Sequence, residues 1–295
     1  MRHTALAVVF AAALSAPALA QHANFVLFGD KDPATELDTR DRRAVAPISA
    51  PYENEDATIT SDVRAWYAYH SFPSDIALGG GHAQTAAVQL RLAITDRLQL
   101  VAYKDGYLWI DTPAATADGV VDVAAGLKYA IIQDYQDQFH WSVGGGYEFP
   151  VGDPSVFQND DEFRIFTGVN KGFDKLHLGA NFNYFIATDH AADAGNSDHL
   201  SWHLHADYYV CDWFSPVLEM NGYHVTKAGT SGLDFQGADI LNLGTGAGDA
   251  LITLAPGFEV RPMENLGLRA AFEFPLTDNT DIYGYRLTFS AVFNF

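Results

Sequence analysis

The sequence predicts an all-β fold: an antiparallel transmembrane β-barrel of about twelve strands, with short periplasmic turns and longer extracellular loops. Three observations predict it. From Ser61 to Phe295 the chain is a succession of short segments that alternate apolar and polar residues, with no 3.6-residue period sustained anywhere. The connections between these segments alternate in length. The chain closes on YGYRLTFSAVFNF, where Tyr285, Leu287, Phe289, Ala291, Phe293 and Phe295 share one side of an extended strand and Arg286, Thr288, Ser290, Val292 and Asn294 the other. A soluble barrel would turn that same apolar face inward, so alternation alone does not choose. Segments of about 10 residues joined by alternately short and long connections are the outer-membrane signature, and in lipid a β protein satisfies its backbone only by closing.

The first element is MRHTALAVVFAAALSAPALAQ: one charge at Arg2, an apolar run, and the small-residue cleavage site Ala18-Leu19-Ala20. Residues 1–20 read as a secretory signal peptide, too short for a spanning helix. Their removal takes away Arg2 alone, moving the formal net charge from −20 to −21. Residues 21–60 are polar and punctuated by proline, and read as an N-terminal periplasmic segment or one folded into the lumen, with disorder as the plain alternative. Residues 61–295 are the barrel. The balance of 37 Asp plus Glu against 17 Lys plus Arg argues against nucleic acid, which needs basic stripes. The single cysteine, Cys211, excludes an intramolecular disulfide framework despite export.

Twelve strands are expected at about 61–70, 86–95, 98–110, 119–132, 138–150, 162–172, 175–187, 199–210, 214–226, 250–262, 266–276 and 283–295. Tight joins such as Thr95-Asp96-Arg97, Gly172-Phe173-Asp174 and Met263-Glu264-Asn265 belong to one end. Longer joins such as SFPSDIALGGGHAQ, GDPSVFQNDD, HAADAGNS and GTSGLDFQGADILNLGTGAGD belong to the other. Both chain ends are then periplasmic. The aromatic terminal strand resembles the signal by which bacterial outer-membrane proteins are recognised for insertion, which implies the barrel assembly machinery as a partner acting through Phe295.

If the apolar parity meets lipid, the other parity lines the lumen. On strand 199–210 it leaves Ser201, His203, His205, Asp207 and Tyr209 inside, and on strand 175–187 His177, Asn181 and Asn183. Estimated from the connection centres, the register places Glu148 across from Arg164, Glu259 across from Arg269, and Glu273 across from Arg286. Such cross-strand pairs contribute about 0.2 to 1 kcal/mol each. Arg64, Arg91, Lys128, Arg164, Arg269 and Arg286, with Glu148, Glu219, Glu259 and Glu273, either fill and rigidify the barrel or set the field of a narrow channel. His203, His205 and Asp207 complete the expected pore-lining set. Inward Gly126, Gly144, Gly146, Gly168 and Gly179 relieve crowding or bend the wall.

Three chemistries can be weighed. His203-x-His205-x-Asp207, with Glu219 estimated across from His205 and Asn181 on its other side, has ligand types for zinc or copper. Same-face neighbours on a strand stand about 7 Å apart, however, and hydrogen-bonded lumen histidines are the plainer reading, so no metal or other cofactor is expected. Ser201 beside His203 suggests a hydrolase, as some outer-membrane barrels are phospholipases or lipid A deacylases, but no third group or oxyanion hole is legible. Gly144-Gly145-Gly146 lacks the lysine and the strand-to-helix turn of a phosphate loop. The expectation is that the chain is not an enzyme.

DGVVDVAAGLKYAI and GGGYEFPVGD, through Gly119, Asp122, Gly126-Leu127-Lys128-Tyr129 and Pro150-x-Gly152-Asp153, resemble the outer-membrane transporter family associated with the meta pathway of phenol degradation. The likeness covers about residues 119–153, and Val151 stands where threonine is more usual. It implies a barrel and a transport role. The reading is thus an outer-membrane channel for passive passage of small solutes, aromatic or apolar ones included. A non-conducting structural or adhesive barrel and a lipid hydrolase are the alternatives. Lipid and small solutes are the expected partners.

Overall fold

The computed structural model describes residues 25–29, 43–188, 197–229, 237–240, 250–278 and 280–295. The expected signal peptide, and most of the expected loops HAADAGNS and GTSGLDFQGADILNLGTGAGD, lie outside the described residues. The strands are β1 (Asp62–Ser71), β2 (His82–Ala93), β3 (Leu98–Lys104), β4 (Tyr107–Asp111), β5 (Thr116–Val120), β6 (Val123–Asp134), β7 (Phe139–Phe149), β8 (Glu162–Phe173), β9 (Leu176–Ala187), β10 (Asp198–Tyr208), β11 (Phe214–Lys227), β12 (Ala250–Met263), β13 (Leu266–Pro275) and β14 (Tyr285–Asn294).

Each strand pairs antiparallel with its neighbours, and β1 pairs with both β2 and β14, which closes the sheet. β3 and β4 both lie against β2, so they are two halves of one wall strand, kinked at Asp105–Gly106. β5 and β6 face them as the halves of the next, kinked at Val121–Asp122. The ring therefore has twelve members, and the sequence boundaries 98–110 and 119–132 each turn out to span a kinked pair. Gly106 makes the first kink possible: its φ is +123°, and a Cβ there would stand 2.5 Å from the Ala86 carbonyl oxygen. Closure gives the wall strands partners on both sides, save at β5, whose one ladder is with β4.

The outer face carries apolar side chains that only lipid would leave favourable. Leu127, Phe163, Ile165, Phe182, Leu218 and Phe289 are each about half exposed, Ile165 reaching 59%. Trp141, Tyr208 and Trp213 cluster by the short turns, while Trp109 and Tyr285 sit by the long loops, the two aromatic girdles of a membrane barrel. These observations make the fold a twelve-stranded transmembrane β-barrel of the outer-membrane type.

The two ends close differently. At the long-loop end, Phe72, Leu78, Val156, Ile240, Ile282 and Tyr283 fold inward onto Trp66, Leu108, Ile110 and Leu251, and seal the mouth with an apolar core. At the short-turn end, residues 25–28 clasp the seam where β14, β1 and β2 meet. Phe25 N–H donates to the Phe295 carbonyl at 2.8 Å, and Leu27 N–H to that of Ala93 at 2.9 Å. The residues of the family resemblance form a structural knot. Asp122, fully buried, accepts from the backbone N–H of Gly152 (2.7 Å), Asn159 (2.7 Å) and Asp160 (3.1 Å), while Gly119 gives Asp153 room: a Cβ there would lie 2.6 Å from the Asp153 Cβ.

Candidate functional site

The polar inner wall does not face an open channel, because residues 43–61 fill it. Pro47 and Pro51 lack the N–H that a ladder needs, so this stretch cannot become a thirteenth strand. Its remaining backbone groups must be satisfied inside the barrel, and the wall side chains satisfy them. On the ascending leg, acidic side chains accept the loop's N–H groups. Asp207 takes Val45 at 3.1 Å, and Glu219 takes Ile48 at 2.9 Å and Ser49 at 2.6 Å, with the Ser49 hydroxyl as well at 2.5 Å. Cations donate to its carbonyls: Arg261 to Ala44 at 2.9 Å, Arg269 to Ala46 at 3.1 Å. Near the tip, Ala50 adopts a left-handed conformation and accepts from the N–H of Glu53 and Asn54. The Tyr52 ring packs edge-on against Trp66 with centroids 4.9 Å apart.

The descending leg lies against the opposite wall. Arg164 donates to the carbonyls of Tyr52 (3.0 Å) and Glu53, Lys128 to that of Asp56 (2.6 Å), and Gln99 to that of Thr60 (2.5 Å). Glu55 is held by Arg91 Nη2 at 2.8 Å and Lys128 Nζ at 3.0 Å. Burial alone would raise the Glu55 carboxyl, but the Arg91 and Lys128 charges hold it well below the ordinary carboxylate range. The loop thus enters and leaves at the short-turn end and touches both sides of the lumen. Beside its base a small cavity of about 40 Å³ remains, lined by residues that include His140, His177 and Asp207.

All thirteen residues expected to line the pore point inward and are buried, and protein atoms meet them. The register estimate holds for Glu259–Arg269, with Arg269 Nε 2.5 Å from Glu259 Oε2. It also holds for Glu273–Arg286, with Arg286 Nη2 2.6 Å from Glu273 Oε2. It fails for Glu148 and Arg164. Glu162 is the residue opposite Glu148, and Gly146 the one opposite Arg164, one step of the inward parity away. Glu148 pairs instead with Lys104, and Arg164 has no carboxylate partner among the described residues. The same one-step error moves Asn181 from His205 to His203, whereas Glu219 does face His205.

The histidines are occupied by protein partners. His205 Nδ1 lies 2.7 Å from Glu219 and its Nε2 3.1 Å from Asp207, and His177 Nδ1 is 2.7 Å from Asp207. No group of three or more metal-ligating side chains is assembled among the described residues. Ser201 has more company than the sequence indicated. Its hydroxyl is 3.1 Å from His203 Nε2, and His203 Nδ1 is 2.8 Å from Asn221 Oδ1. Asn221 uses its amide to donate to Ser49 and Glu273, which fixes its oxygen toward the imidazole. Serine, base and orienting group are thus aligned as in a hydrolase relay, but all three are fully buried, and Asn183 donates to the same serine hydroxyl at 3.0 Å.

Sequence reasoning missed Lys104, Asn221, Arg261 and above all Glu55. One signal was available: Arg64, Arg91, Lys128 and Arg164 all point inward from β1, β2, β6 and β8, where Asp62 is the partner of Arg64 and Glu148 that of Lys104, so a further acidic partner from outside the wall was to be looked for.

No family model matches the chain, and no curated protein matches it. Among solved structures it is similar to the KdgM porin in complex with disordered oligogalacturonate, at 12% identity over 80% of this chain and 99% of that one, with a TM-score of 0.46. It is also similar to the transport unit of the autotransporter AIDA-I from Escherichia coli (13% identity, 80% and 90% covered, TM-score 0.47). A third is the translocator domain of the autotransporter NalP from Neisseria meningitidis (9%, 80% and 88%, TM-score 0.43). At these identities and TM-scores the likenesses say nothing of solute or activity. The fold rests on the strand ladders themselves.

Proposed function

We propose that the chain is an outer-membrane channel for passive passage of small solutes, held shut at rest by residues 43–61. The observation that carries this reading is the loop's construction. It is no member of the wall, it enters and leaves at one end, and wall side chains hydrogen-bond its backbone along both legs, beside the apolar contacts of Val45, Ile48, Ala50, Tyr52 and Ile59. Such contacts exchange with water on release, each net hydrogen bond contributing about 0.5 to 1.5 kcal/mol and about 1.5 to 3 kcal/mol where a charged group takes part. Aromatic or apolar solutes fit the likeness of residues 119–153 to the phenol-pathway transporters. Export to the outer membrane by a signal peptide, and insertion aided by the strand ending at Phe295, belong to the same proposal.

Planar-bilayer recording tests it. The full protein is expected to conduct in rare openings, and a variant in which Glu219→Gln and Arg164→Gln loosen both legs of the loop is expected to open at least about tenfold more often. A folded variant that never conducts would favour the non-conducting structural barrel. A second reading, the lipid hydrolase, is supported by the Ser201–His203–Asn221 alignment. Phospholipid turnover that disappears in Ser201→Ala would establish it in place of the channel.

A further inference from the structure

Arg91, Lys128 and Arg164 belong to β2, β6 and β8, on one side of the lumen, and each is about 1% exposed. Buried cations of this kind stay charged only against fixed acceptors. Arg91 has the Gln89 amide oxygen at 2.9 Å, and Lys128 has the Asp56 carbonyl. The anion that both of them share is Glu55, with Arg91 on one carboxylate oxygen and Lys128 on the other. Arg164 is more exposed to want: its guanidinium sits over the rings of Tyr103 and Phe166, 4.7 Å from each centroid, and its acceptors are neutral, Asn183 and the loop carbonyls of Tyr52 and Glu53.

Tyr52 and Glu55 are three residues apart, so the loop brings its carboxylate and its two carbonyls to this wall within roughly 10 Å of chain. If the loop withdraws, these three cations face the lumen; of the wall carboxylates on the same arc, Asp62 is held by Arg64 at 2.7 Å and Glu148 by Lys104, and Glu162 lies across from Glu148. We infer that Arg91, Lys128 and Arg164 form a binding site for solutes carrying two carboxylates, and that Glu55 and the adjoining carbonyls occupy it as an internal mimic until such a solute displaces them. This rests on the channel reading and gives that channel acidic solutes as its substrate class, in place of the uncharged aromatic or apolar ones that the likeness of residues 119–153 suggests. The rings of Tyr103 and Phe166 beside Arg164 offer an apolar surface to the carbon skeleton of such a solute.

Calorimetry and conductance separate the two ideas, with circular dichroism confirming that each variant is folded. Glu55→Gln keeps the size of the side chain but removes its charge and so its hold on Arg91 and Lys128, and succinate is expected to displace this loop and bind the variant at least about tenfold more tightly than the parent. Glu55→Gln combined with Arg91→Gln is expected to lose that binding, and glycerol is expected to bind neither. In bilayers, millimolar succinate should raise the parent's open probability while glycerol leaves it unchanged, and Glu55→Gln should favour chloride over potassium. Absence of succinate binding to folded Glu55→Gln overturns the site whether or not the barrel conducts. Binding without conductance in any variant keeps the site and removes the channel.

Discussion

Arg286 shows how much a single inner-wall residue holds. It is fully buried, with two guanidinium nitrogens 2.9 and 2.6 Å from Glu273 and a third 2.5 Å from Asp239, and Tyr283 lies under its plane at 5.1 Å. Asp239 belongs to an extracellular loop, so this one side chain ties the closing strand both to its neighbour and to the apolar lid. Arg286→Met removes one charge and strands two carboxylates. The expected cost is about 3 to 5 kcal/mol, because breaking a buried pair leaves an uncompensated charge. Denaturant unfolding in detergent micelles measures it, and a loss below about 1 kcal/mol would mean that Glu273 and Asp239 find water once the arginine is gone.

At the scale of the element, the proposed gating by residues 43–61 carries a pH dependence. Glu55 is held below the ordinary carboxylate range, so its contribution to docking is fully present above about pH 4.5, where a released Glu55 is also ionised. As pH falls below that value, the released loop takes up a proton that the docked loop refuses. Docking therefore weakens progressively until the depressed value is reached. Open probability, or cleavage of residues 43–61 by a protease active in acid, is expected to rise between pH 5 and about pH 3. A loop equally protected at both ends of that range would show that Arg91 and Lys128 do not govern its docking. The element was half legible from sequence: Pro47 and Pro51 excluded a strand, but its path was not readable, because its partners Arg164, Glu219 and Asp207 lie more than a hundred residues away. The misplaced Glu148–Arg164 pair has a related cause. A register estimated from connection centres has no means of locating where each loop turns, and the knot around Asp122 draws the 150–161 connection to one side.

For the whole molecule, the assignment of inside and outside carries its own test. Phe289 lies mid-strand on β14 and is 49% exposed, while Thr288, its neighbour of opposite parity, is 1% exposed. Phe289→Arg in lipid vesicles is expected to destabilise the barrel by about 2 to 4 kcal/mol, the cost of a cation on the lipid face near the bilayer midplane. In a soluble barrel the same change on an exposed face would cost within about 0.5 kcal/mol. Reversible unfolding in vesicles distinguishes these outcomes.

By itself the sequence determined the number of wall strands, their parity, the short-turn and long-loop ends, and two of the three cross-strand ion pairs. These follow from period two and from turn chemistry, which act over a few residues. Only the tertiary structure decided that the inner wall is filled, that Glu55 answers Arg91 and Lys128, and that Asn221 aligns His203 toward Ser201. The first set is local, fixed by where a side chain must point on a strand. The second depends on which distant groups meet in a closed interior, where each buried charge must find a partner and no short stretch of chain records which one.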